Sequence, residues 1–134
     1  MMDSVLTQQT MAEPVMMDVA VARQTIMALT RYGGHTKATI EGISDADSAV
    51  SACALTLNFV GNVRTFVETI EATDICNREI LRNGTAFLEH ADTQAVTAMS
   101  TEHQVEAIKG HLCMAVAIAE RLLRSLQSDI VIRT

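Results

Sequence analysis

The residues able to do chemistry are few, and their spacing suits none of the familiar centres. A di-metal carboxylate site in a helical bundle takes Glu-x-x-His from two helices and a further Glu from each of the other two. This chain holds only the reverse order, His103-x-x-Glu106, on the exposed side of a helix start, where it reads as a solvated polar patch. No His-x-x-x-His, Cys-x-x-Cys or haem-attachment motif occurs, so neither metal nor cofactor is expected. Among nucleophiles, Cys113 follows His111 by two positions, but residues two apart on a helix do not face each other. Cys53 lies between Val50 and Leu57 on an apolar stripe and reads as a buried thiol acting as a small hydrophobe.

Glu106-Ala-Ile-Lys109-Gly110 is similar to the His-x-x-Lys-Gly signature of histidine phosphotransfer domains, which are also four-helix bundles. The position that carries the phosphoryl group there is Glu106 here, and His103 and His111 are out of register. Gly33-Gly34 is no phosphate cradle, because no strand precedes it and no Gly-Lys-Ser/Thr follows. With no catalytic residue to name, the expectation is a protein that is not an enzyme.

Composition points the same way. A chain of 134 residues is one domain by size, with room for a real core. Three Phe, one Tyr and no Trp leave that core aliphatic and Ala-rich, which suits closely packed helices. A net charge of −6 argues against nucleic acid and against anionic headgroups as partners. Three widely separated cysteines suit a reducing, cytoplasmic setting. The start lacks the basic and apolar regions of a secretory signal. The longest apolar stretch, Ala49 to Val60, is interrupted by Ser51, Thr56 and Asn58 and is too short to span a bilayer, so no integral membrane segment is expected. Six of the eight methionines (Met1, Met2, Met11, Met16, Met17 and Met27) crowd the first quarter, as core filler or as a soft adhesive patch.

The elements follow from apolar periodicity. Residues 1–13 show none and read as a flexible arm. Pro14 suits a first helical turn, and Val15, Val19, Ala22, Ile26 and Leu29 form one face. Gly33-Gly34 is expected to end that helix near Tyr32. A second apolar pattern runs through Ile43, Ala46, Val50, Cys53, Leu57 and Val60, drifting to Val63, Val67 and Ile70, and predicts a helix over 44–72; a start near Thr36 is the alternative. Asp45 and Asp47 favour its N-terminal dipole end. Thr73-Asp74 offers a cap where the chain can break. A third helix over 75–99 carries Cys76, Ile80, Phe87 and Ala91 beside Leu81, Leu88 and Ala95, and runs through Asn83-Gly84. Thr101 and Gln104 fit a capping box before a last helix over 102–129. Its stripe is the strongest in the chain: Val105, Ile108, Leu112, Ala115, Ala119, Leu122 and Leu126, widened by Val116, Leu123 and Ile130. Val131 to Thr134 read as a frayed tail. The fold expected is all-α, an antiparallel four-helix bundle or a longer helical hairpin completed by oligomerisation.

Leu81 to His90 (LRNGTAFLEH) and the Ser/Thr-capped turn Met99 to Ile108 (MSTEHQVEAI), followed by the amphipathic helix Gln104 to Asp129, resemble the phasins. These are small helical proteins that coat polyhydroxyalkanoate storage granules. Thr101 stands where that turn usually has Pro, and Lys109-Gly110 replaces a typical Leu-Gln pair. The resemblance implies a non-enzymatic, cytoplasmic, homo-oligomeric coat protein whose partner is a hydrophobic polymer granule surface. Leu112, Val116, Leu122, Leu123, Leu126 and Ile130 would make the apolar surface or oligomer contact, and negative charge would hold coated granules apart. The alternative is a helical-bundle adaptor or assembly subunit that binds partner helices through the same seam.

Overall fold

The computed structural model describes residues 18–73, 75–100 and 104–133, with the backbone alone for 131–133. Among the described residues four helices follow in order: α1 (Val19–Glu41), α2 (Ala46–Glu71), α3 (Arg78–Met99) and α4 (Val105–Arg133). Each packs on the next, α4 closes the ring against α1, and α2 meets α4 across the diagonal. Short connections make sequence neighbours antiparallel. This is the expected all-α bundle, and the second and third patterns are two helices rather than one rod.

The core is aliphatic. Phe59, Ile26, Ile40, Ile70, Leu81, Leu88, Leu112, Leu123, Leu126 and Ile130 are its largest fully buried side chains. Small residues let the axes approach: Ala91 and Ala95 of α3 and Ala115 and Ala119 of α4 are wholly buried. A Cβ on Gly84 would stand 2.8 Å from Leu122 Cδ1, so Asn83-Gly84 is a packing site inside an unbroken helix. Tyr32 and Phe59 tilt against each other between α1 and α2, with centroids 5.5 Å apart. Only two polar side chains are fully buried among the described residues, Thr36 and Thr56. Each satisfies its hydroxyl on the carbonyl four residues back, at 2.8 Å.

The helix ends differ from expectation in instructive ways. Gly33-Gly34 does not stop α1, which continues to Glu41 and is capped by Gly42. Gly33 faces inward: a Cβ there would lie 2.9 Å from Phe59 Cζ and 3.0 Å from Glu120 Oε2. The glycine therefore serves close approach, and Glu120 passes over it to reach Lys37 Nζ at 3.2 Å. The suggested start of α2 near Thr36 is thus the end of α1. Asp45 caps α2 in a reciprocal box, its Oδ1 accepting from the Ser48 N–H at 2.8 Å while Ser48 Oγ accepts from the Asp45 N–H at 3.0 Å. The break after α2 falls where expected, but Asn77 rather than Thr73-Asp74 caps α3, its Oδ1 accepting from the Glu79 N–H at 2.7 Å. The Asn77 N–H in turn donates to Asp129 Oδ2 at 2.8 Å, tying the start of α3 to the last turns of α4. That helix takes in Val131–Arg133, which had read as a tail. The start at Pro14, the arm over 1–13 and the Thr101 cap lie outside the described residues.

Two expectations follow. Gly33→Ala should lower stability by about 1–3 kcal/mol through overpacking. Gly34→Ala, one residue on and in open space, should raise it by roughly 0.5–1 kcal/mol; denaturant unfolding of both variants reads the contrast. The hydrogen bonds from Ser48 hold the Asp45 carboxyl below its ordinary value near 3.8. Its stabilising contribution is then complete above that value and is lost as pH falls through the lowered one. Asp45→Ala should melt below the wild type at neutral pH, and the gap should close in strong acid.

Candidate functional site

The six residues expected to meet a granule or a partner, Leu112, Val116, Leu122, Leu123, Leu126 and Ile130, are each at most 2% exposed. They form the inner face of α4, covered by α1, α2 and α3. In the closed bundle they are core, and none is offered to a surface. The reason is supply: the other three helices bring enough apolar area to cover the whole stripe.

The reactive candidates are dispersed as well. His111 turns toward α3, its Nδ1 2.8 Å from Gln94 Oε1. Cys113 is exposed on the α1 side of the same helix, near enough to Glu41 and Lys37 to feel their charges. Glu106 is exposed in the first turn of α4, and His103 is outside the described residues. Among the described residues no three of His, Cys, Asp and Glu gather closely enough to hold a metal ion.

What the molecule does offer is a groove. At the end of the bundle where α2 begins and α3 ends, the two helices leave an open apolar cleft of about 530 Å³. Ala46, Ala49, Val50, Cys53, Ala54 and Leu57 form one wall; Ala98 and Met99 form the other, with Val105 and Ile108 of α4 at its base. Among the described residues, Asp45 at the rim is the only charged one lining it. Val50 had been expected on the buried face, yet it is 68% exposed, and Met99 across the cleft is 60% exposed. The core-facing row of α2 is instead Ala49, Ala52, Cys53, Thr56, Phe59, Val60 and Val63. Phe87, likewise expected inside, is half exposed on α3.

The cleft is bounded below by polarity. Arg64 of α2 pairs with Asp92 of α3, both partly exposed, and further down the same seam lie Arg78, Arg82 and Glu89. The seam between α2 and α3 is thus greasy at one end and charged at the other. Cys53 is buried beneath the greasy end, and that burial raises its thiol above the ordinary value of 9.0. Cys113 is raised too, by partial burial first and then by Glu41, with Lys37 and Lys109 opposing.

Helix α2 has a second peculiarity. By length and composition it is apolar enough to cross a membrane, with 44% of its most apolar window buried inside the bundle. The helix extends beyond the apolar stretch Ala49 to Val60, because Val63, Phe66, Val67 and Ile70 continue its apolar side. From Ser48 to Val63 it carries no Asp, Glu, Lys, Arg or His. That uncharged run was the available signal for the groove.

Comparison of the chain with family models, with curated proteins and with solved structures finds no significant match. The thiols give a direct check on the geometry. A thiol reagent at mildly alkaline pH should modify Cys113 first, with Cys53 and Cys76 reacting much more slowly; mass spectrometry of quenched samples reads the order.

Proposed function

We propose that this chain is a non-enzymatic assembly protein that docks an apolar helical segment in the groove between α2 and α3. The observation that carries this reading is the pair of protruding apolar side chains, Val50 and Met99, at the cleft where the bundle leaves apolar surface uncovered. Apolar surface of this kind gains about 25 cal/mol for each Å² removed from water, and an amphipathic helix laid in a groove is a recurrent way to remove it. Small residues in the walls, Ala46, Ala49 and Ala98, let a partner backbone come close.

Coating of a hydrophobic polymer granule is the second reading. Its support is the spread of exposed large apolar side chains over all four helices, among them Met27, Val50, Phe87, Val96, Met99 and Met114. If the α4 stripe itself were to lie on the polymer, the bundle would have to open. Exposing Leu112, Val116, Leu122, Leu123, Leu126 and Ile130 costs on the order of 10 kcal/mol, comparable to the whole stability of a domain this size. The polymer surface would have to return that amount.

A surface variant separates the two readings without disturbing the core. Val50→Glu/Met99→Glu should keep its helix content and remain within about 0.5 kcal/mol of wild-type stability, since both side chains are exposed. In dilute solution it should lose most of the fluorescence enhancement that an anilinonaphthalene dye gains on the wild type. Equal dye binding by both proteins would overturn the groove reading. Co-sedimentation of the wild type with polyhydroxybutyrate particles, undiminished in the double variant, would favour the coat.

A further inference from the structure

Resting on the groove as a docking surface, we infer that the helix it accepts is α2 of a second copy of this chain, packed antiparallel about a twofold axis between Leu55 and Thr56. The outer edge of α2 bears its own row at spacings of four, three and four: Val50, Ala54, Leu57 and Gly61. Val50 and Ala54 are exposed, and Leu57 and Gly61 are partly covered. Those spacings put the row on one helical face, apart from the core row.

The row is self-complementary when reversed. Around that axis Val50 falls opposite Gly61 of the second copy, and Ala54 falls opposite its Leu57. Each large side chain meets a small one, as interdigitated helix packing requires. Extending the register one turn outward brings Asp47 opposite Arg64. Arg64 is held on Asp92, and its five-donor guanidinium keeps N–H groups for a second carboxylate. Size and charge therefore agree on one register.

Charge also selects the face. Each copy carries −6, and a twofold interface brings like patches together, so two copies approach at least cost where neither bears charge. The stretch Ser48–Val63 is the longest such run in the four described helices. Gly61 fits the same account: a Cβ there would meet nothing within 4 Å in its own chain. Gly34 and Gly110 are equally open, but only Gly61 lies in this row. Val96 and Met99 of α3, both more than half exposed, flank the row and would cover the incoming helix from the side.

Sedimentation velocity of the full chain over a range of concentrations tests the pairing. The wild type should form a dimer, and Ala54→Glu, which alters an exposed position, should weaken it by about 100-fold or more while retaining its circular dichroism spectrum. In a Cys113→Ser background, a mixture of Val50→Cys and Gly61→Cys chains should give a crossed disulfide on mild oxidation, and neither chain alone should. A wild type that remains monomeric at every concentration overturns the pairing. So does a dimer indifferent to Ala54→Glu, or a disulfide formed by Val50→Cys alone, which marks a parallel register. Should the chain prove monomeric while Val50→Glu/Met99→Glu still loses the dye, the groove reading survives and only the choice of occupant fails.

Discussion

Burial of the aliphatic stripe on α4 is the constraint from which the rest of the bundle follows. This helix touches each of the other three, and its inner row, from Ile108 through Leu112, Ala119 and Leu126 to Ile130, runs almost its whole length in the core. A stripe that broad cannot be covered by one neighbour. It needs α1 and α3 at its flanks and α2 across the diagonal, so the ring is closed by α4 rather than by a fourth equivalent partner. Polar contacts then fix register: Asn77 on Asp129, Gln94 against His111 and Lys37 on Glu120. The hydrophobic term supplies the drive, and these bonds choose among near-equal ways of satisfying it.

The four-helix architecture was legible because periodicity reports burial, and burial on α4 is nearly complete along one face. Legibility failed where a residue type has two uses. Gly33 was read as a stop signal, since glycine commonly caps helices; here it is a gap cut for Phe59 and Glu120, and nothing local in the sequence distinguishes the two roles. Val50 and Cys53 both fit a three-four rhythm. On α2 two such rows run side by side, one inward and one outward, and a count of apolar spacings cannot say which faces the core. The six α4 positions, expected to meet a granule, a partner or another copy, lie instead in the core of their own bundle. What hides them is the rest of the same chain, a matter of tertiary supply that the periodicity of one helix does not contain.

The groove was the least legible feature, although its signature was present as a missing charge. On α1, α3 and α4 the outer positions are punctuated by Arg, Lys, Asp, Glu or His, as expected of solvated faces. From Ser48 to Val63, α2 lacks that punctuation. Uncharged outer positions next to exposed Val50 and Met99 leave an open apolar cleft on the seam with α3 at this end of the bundle. Lower on the same seam, Arg64, Asp92, Arg82 and Glu89 restore the ordinary pattern, which gives the cleft a definite end.

The diagonal contact between α2 and α4 also has a consequence for biosynthesis. Chains emerge from the ribosome N-terminus first, so α2 is complete well before the helix that packs on it across the diagonal has been made. For that interval the nascent polypeptide carries an uncharged run, Ser48–Val63, with only part of its eventual cover in place. Its protection is a matter of timing: the sooner α4 is made, the shorter the exposure.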